Sequence, residues 1–138
     1  MSPRLPVPAA DRTPETEEFW AAVDRHQLIL RRCDACGTVI WYPRSRCPGC
    51  GDTAVSWVPA SGRGTVYSFT VVHRSPSPYR DAVPYVVAYV ELAEGPRIVT
   101  NVVGCEPESV HIGQDVTVVF EDSDEGRALY RFAPSDGR

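Results

Sequence analysis

The chain contains no lysine, only three histidines, and no segment near the roughly 18 consecutive apolar residues that a membrane-spanning helix needs. All fourteen basic residues are arginine, a bias that carries no functional implication by itself. The opening "MSPRLPVPAADRTPE" lacks the apolar stretch of a secretion signal, so a soluble, cytoplasmic protein is expected. Catalytic signatures are missing too. GxSxG, HExxH and a phosphate-cradling glycine loop do not occur. His26, His73 and His111 fall in three different predicted elements, so no local pattern supplies a nucleophile with its base and orienting group. His73 closes a strand after "FTVV", where a histidine satisfied within a barrel rim is a plainer reading than a ligand contact. The chain is expected to turn over no substrate unaided.

What is present is cysteine in an ordered pattern. Four of the five cysteines lie in "RRCDACGTVIWYPRSRCPGC", residues 31–50, spaced C-x2-C-x10-C-x2-C. Paired CxxC units without a secretion signal favour reduced, metal-binding thiols over disulfides. Gly37 follows Cys36 and Gly51 follows Cys50, where a metal knuckle needs an unhindered or left-handed backbone. Such a knuckle aims backbone amides at the sulfurs and stabilises thiolate charge. One hairpin brings the two knuckles together, so Cys33, Cys36, Cys47 and Cys50 are predicted to form a tetrahedral four-sulfur site. Zinc and iron both suit that donor set. With all four positions filled by protein, no coordination position stays open for catalysis. The fifth thiol, Cys105, ends a strand without a charged helper and reads as buried and inert.

Charge is unevenly spread along a chain of net −4. Residues 1–24 carry −3, residues 25–65 carry +4 from six arginines against Asp34 and Asp52, and residues 66–138 carry −5. The cysteine segment is a basic island. Four thiolates around one divalent ion add about −2 and take the whole chain to about −6. Such a protein is a poor general binder of polyanions.

Punctuation divides the chain into an N-terminal arm and helix (1–26), a metal ribbon (27–60) and a barrel (61–138). "MSPRLPVPAAD" is Pro-rich and extended. Thr13 is the expected N-cap of a helix of about three turns, with Pro14 at its first position and Glu15, Glu17 and Glu18 complementing the dipole. Phe19, Trp20 and Val23 share one face of it, which either covers this chain's own core or docks on a partner. "LILRR", "TVIWY" and "AVSWVP" are short β-prone runs around the knuckles. Five further runs alternate: "GTVYSFTVVH", "PYVVAYVELA", "RIVTNVVGC", "DVTVVFED" and "RALYRFAP". Val86, Ala88, Val90 and Leu92 line one face of the second, and Val116, Val118 and Phe120 one face of the fourth. Five short antiparallel strands in this length match a Greek-key OB-fold barrel, with room for one helical turn at most in "EPESVHIGQD". The fold class is mostly β.

"RCDACGTVIWYPRSRCPGCG", then "WVPASGRGTVYSFTVVH", "PYVVAYVEL" and "VHIGQDVTVVFE" resemble, in order, the zinc-ribbon plus OB-fold family catalogued as domain of unknown function 35. The resemblance runs from about Phe19 to Phe132. It implies structural zinc, and an accessory subunit encoded or fused with thiolase-superfamily enzymes and hot-dog hydratases of acyl-CoA metabolism. Roles in the family include bridging a thiolase to a hydroxymethylglutaryl-CoA synthase and supporting thiolase-like aldolases that shorten steroid side chains. Here the partner is expected to be a separate chain.

Three function classes follow. The first is a non-catalytic subunit of a thiolase or thiolase-like aldolase (lyase) complex, built on the partner's own dimer and acting on steroid side-chain or other lipid-derived acyl-CoA. Phe19, Trp20, Trp41, Tyr42, Arg44, Arg46, Tyr79 and Arg80 are its candidate contacts to partner or coenzyme A, the arginines suiting phosphates. Tyr79 and Arg80 belong to "HRSPSPYRDAVPY", residues 73–85, whose three prolines interrupt the alternation. Its length suggests either function or disorder, and it is expected to project toward the partner's active-site entrance. The second class is nucleic-acid binding by aromatic stacking in a basic groove, which the acidic barrel disfavours. The third is a rubredoxin-like electron carrier, since the same cysteines hold iron elsewhere. Neither nucleic acid nor membrane is an expected partner.

Overall fold

The computed structural model describes residues 5–135, so residues 1–4 of the Pro-rich opening lie outside the described residues. One helix, α1 (Glu17–Asp24), precedes a three-stranded ribbon of β1 (Ile29–Cys33), β2 (Val39–Ile40) and β3 (Val55–Pro59). β1 is central, antiparallel to both neighbours. The barrel follows: β4 (Arg63–Val72), β5 (Tyr85–Leu92), β6 (Arg97–Val102), β7 (Asp115–Asp122) and β8 (Ala128–Pro134). It closes in the order β4-β5-β6-β8-β7, with β6 and β8 the parallel pair and the other ladders antiparallel. This is the mostly β, OB-fold architecture expected. The single turn allowed between the third and fourth barrel strands is a 3-10 turn at Pro107–Ser109.

Alternation decides the barrel interior. Val86, Ala88, Val90 and Leu92 of β5 are all buried, as are Ile98, Val102, Val116 and Phe132 from the neighbouring strands. Val118 and Phe120 are only partly buried against that core. At the entry to the barrel, a Cβ at Gly62 would sit 2.7 Å from Val118 Cγ1, and one at Gly64 would sit 2.5 Å from Val90 Cγ1. Glycine at these positions lets β4 approach both neighbours and close the sheet.

The helix begins one turn later than Thr13 suggests. Thr16 is its N-cap residue, and Thr13–Thr16 forms a separate turn in which the Thr16 amide donates to the Thr13 carbonyl at 3.0 Å. The hydroxyls of the two threonines lie 3.2 Å apart, so they bond within that turn and leave α1 with eight residues, about two turns. Its C-terminus is a Schellman closure: the His26 amide donates to Val23 O at 2.8 Å and the Gln27 amide to Ala22 O at 2.9 Å. His26 takes the left-handed position at φ 61° that glycine usually fills. Its ring stacks on Phe120 with centroids 5.2 Å apart, and Nε2 lies 2.8 Å from Asp122 Oδ1. These contacts offset a conformational cost of about 1–2 kcal/mol.

Asp24 fastens the end of α1 to the barrel. Its carboxylate accepts from Arg12 at 2.9 Å and from the Ala128 amide at 3.0 Å, and Arg127 lies 3.9 Å away. The Arg12 hydrogen bond, followed by the Ala128 amide, holds its pKa below the ordinary carboxylate value of 3.8 despite partial burial. A depressed carboxylate contributes stability above its unfolded pKa and loses it as pH falls through the lower folded value. Asp24→Asn should therefore cost about 1–2 kcal/mol at neutral pH and flatten the loss of stability below about pH 4. Urea unfolding at pH 7 and pH 3 measures both; an unchanged acid slope in the variant would count against this role.

Candidate metal centre

The two knuckles have the same local chemistry. Gly37 N donates to Cys33 O and Gly51 N to Cys47 O, each at 2.8 Å, with Gly37 and Gly51 at φ 79° and 81°. The Cys33 amide closes on Thr38 O at 2.8 Å and the Cys47 amide on Asp52 O at 2.9 Å. Amides also point at sulfur: Cys36 N to Cys33 Sγ at 3.5 Å, and Gly49 N to Cys47 Sγ at 3.3 Å. β1 carries the first knuckle and the β2–β3 connection the second, so ribbon pairing brings them together.

All four sulfurs, of Cys33, Cys36, Cys47 and Cys50, lie within 4.8 Å of one another. Cys33 Sγ is 3.6 Å from Cys50 Sγ, and Cys36 Sγ is 3.7 Å from Cys47 Sγ. A tetrahedron with metal–sulfur bonds of about 2.3 Å has edges of about 3.8 Å, so the cluster fits one tetrahedral ion. Crowding pulls the thiols apart in acidity. Thr38, through its hydroxyl and then its amide, draws Cys36 down to about 6. The Asp52 amide lowers Cys50, but hydrogen bonding with the other thiols outweighs it and pushes Cys50 up to about 12. One ion that takes all four as thiolates removes this competition.

Arginines attend the site. Arg46 Nη1 donates to Gly51 O at 2.6 Å, and Arg32 Nη2 would lie 3.9 Å from a Cβ on Gly37. One positive charge thus stands at each knuckle, offsetting the charge of four thiolates around a divalent ion. Arg44 is exposed. Beside it the Ser45 amide and hydroxyl donate to Glu15 Oε2 at 2.6 and 2.9 Å, which holds that carboxyl below its usual range and pins the ribbon loop to the turn before α1.

The aromatic contacts expected from the sequence divide. Phe19 is fully buried and Trp20 only 7% exposed, so the expectation that both face a partner is corrected: they cover this chain's own core. Phe19 lies edge-on to Trp20, Trp41, Tyr42 and Tyr130 at 5.0–6.1 Å. Tyr130, which the sequence reading missed, supplies the additional cover; it sits at an inward position of β8 and stacks on Trp20 at 5.9 Å. Trp41 is partly buried, while Tyr42 is 36% exposed and accepts the Trp20 indole N–H at 2.6 Å. In the proline loop Tyr79 is half-buried, 5.5 Å from Tyr85, and Arg80 is exposed. Tyr79, Tyr85, Trp20 and Tyr130 help line a cleft of about 320 Å³. Cys105 is half-buried, not fully buried, and lines an apolar groove of about 380 Å³ with Leu5, Pro84 and Val119.

Fold and site define a class: a four-cysteine ribbon joined to an OB barrel around a shared aromatic core. Family models match both parts, the ChsH2 rubredoxin-like zinc ribbon domain at residues 20–56 and the ChsH2 C-terminal OB-fold domain at residues 57–121. The chain belongs to this zinc-ribbon plus OB-fold family, whose members include the DUF35 domain-containing scaffold proteins. Its structural ion is zinc. It is 42% identical over 114 residues to the DUF35 domain-containing scaffold protein of Methanocaldococcus jannaschii, matching 79% of this chain and 81% of that one. It is 40% identical over 131 residues to a probable enoyl-CoA hydratase alpha subunit of Thermomonospora curvata, matching 94% of this chain but only 40% of that longer protein. A chain of the solved Ltp2-ChsH2(DUF35) aldolase superposes with a TM-score of 0.84 at 37% identity, covering 92% of this chain and 99% of that one. No helix among the described residues is long and apolar enough to cross a membrane.

Proposed function

We propose that this chain is the non-catalytic subunit of a cytoplasmic thiolase-superfamily complex, a thiolase or thiolase-like aldolase acting on steroid side-chain or other lipid-derived acyl-CoA thioesters. The likeness along nearly its whole length to a chain of an aldolase carries this reading. The zinc site supports it, because four cysteine ligands leave the ion no position for substrate or water. Two of the three histidines are engaged elsewhere: His26 with Asp122, and His111 with the Ser109 carbonyl at 3.3 Å.

In this reading the chain supplies surface and order, and the partner supplies the reacting groups. Tyr42, Arg44, Arg46 and Arg80 offer exposed side chains, and Tyr79 a half-buried one, to the partner or to coenzyme A phosphates. Arginine suits that task through its planar, always-charged fork. The test is co-expression with the thiolase-superfamily protein encoded nearest this chain in its genome. A stable heteromer built on the partner's dimer is expected, with thioester turnover only when both chains are present. Full activity of the partner alone, or turnover by this chain alone, would overturn the reading.

A further inference from the structure

Five large apolar side chains are conspicuously exposed among the described residues, and four of them form one stripe across the outer face of the barrel. Tyr89 on β5, 50% exposed, pairs in register with Val99 on β6, itself 48% exposed, and with Ser68 on β4. The β4–β5 ladder shifts register between Val66 and Ser68, a bulge that holds Tyr67 at 48% exposure. On the far side of β4, Gly113 N donates to Val66 O at 2.9 Å and Val66 N to Gln114 O at 3.0 Å, which sets Ile112, 69% exposed, beside the bulge. Bulges re-aim side chains and leave a ladder position unpaired. This one presents a tyrosine to solvent. Arg97 lies over the Tyr67 ring at 3.8 Å and donates to Glu91 Oε2 at 3.2 Å, so the ring is held in place and the arginine's charge is balanced.

We infer that this stripe, Ile112–Tyr67–Tyr89–Val99, is the docking face for the thiolase-superfamily subunit. The inference rests on the function proposed above and adds a surface that the ribbon and loop contacts do not include. Composition supports a protein partner, since interface cores are rich in tyrosine and arginine and poor in lysine and acids. Exposed tyrosines on an OB barrel also suit stacking of single-stranded nucleic acid, but that needs free cations along the backbone path. Here Arg97 is paired to Glu91, and residues 66–138 carry a net −5. Charge therefore decides for protein. Exposed Glu108 and Asp115 flank the Ile112 end in sequence, so the complementary patch is apolar at its centre with arginine or lysine at that edge.

The experiment measures affinity between the purified full chain and the same thiolase-superfamily protein, for the parent and for Tyr67→Ala, Tyr89→Ala and Val99→Ser. Each truncation at the tyrosines should weaken binding about 30-fold or more, while Tyr89→Phe stays within a few-fold and zinc content and unfolding temperature stay at parental values. Val99→Ser, on another strand, keeps the test open if a tyrosine variant folds poorly. Parental affinity in all three truncation variants would overturn the docking face and leave the function standing. Failure of the parent chain itself to bind would overturn the function and the docking face with it. Two other results also overturn the face: parent self-association through the stripe in sedimentation, or oligo(dT) binding that Tyr89→Ala abolishes.

Discussion

Cys47→Ser leaves the chain without its ion and the ribbon unfolded. Cys47 is 1% exposed, faces Cys36 Sγ at 3.7 Å and accepts the Gly49 amide at 3.3 Å. The hydrophobic cluster at this end of the ribbon consists of Cys33, Ile40 and Cys47 with Val55 partly packed on it. Burying one isoleucine contributes about 1.5–3 kcal/mol, whereas structural zinc binding in small domains amounts to about 10–16 kcal/mol of apparent free energy. The ion therefore dominates local stability. A serine hydroxyl is a poor substitute for thiolate, so several kcal/mol should be lost even with three sulfurs remaining. Zinc per chain and thermal unfolding with and without chelator give the readout. The parent should fall to the variant's unfolding temperature when chelator is added, and the variant should not respond. Equal unfolding temperatures for both proteins under both conditions would show that the ion contributes nothing to the fold.

The same comparison of magnitudes explains which features could be read from the sequence. Metal spacing is local and stringent, so two CxxCG units announced four sulfurs that do converge within 4.8 Å. Alternation is likewise local: Val86, Ala88, Val90 and Leu92 are buried because period 2 puts them on one face. The start of α1 was less legible because Thr13 and Thr16 both satisfy the N-cap rule, and only their mutual hydrogen bonding decides between them. What Phe19 and Trp20 cover is not legible for a different reason. Periodicity identifies the apolar face of a helix but not what covers it, and the cover includes Tyr130 from a strand more than a hundred residues further along. The docking stripe was hidden most deeply. A bulge breaks the two-residue period in "GTVYSFTVVH", and no residue there announces that Tyr67 turns outward.

Phe19→Ala should be the most damaging substitution in the aromatic core, costing about 3–5 kcal/mol. The ring is wholly buried and lies edge-on to four aromatic neighbours drawn from α1 itself, the ribbon and β8. Each such pair is worth about 0.5–1.5 kcal/mol beyond its burial, and the cavity left behind cannot be filled by rings fixed elsewhere. Trp20 is held through its indole bond to Tyr42 at 2.6 Å, and the Tyr130 hydroxyl donates to Val99 O at 3.2 Å. For a chain of this size the loss corresponds to an unfolding temperature lower by about 10–20 °C. Trp20→Phe, which removes the bond to Tyr42 and three ring atoms but keeps an aromatic side chain, should cost less, about 1–3 kcal/mol. The two variants separate a core role from an interface role, because a partner anchor would lower affinity and leave the free chain's stability alone. Parental unfolding temperature in Phe19→Ala, together with weakened binding of the thiolase-superfamily subunit, would return Phe19 to the interface; a large drop in the isolated chain places its contribution in joining ribbon, helix and barrel into one body.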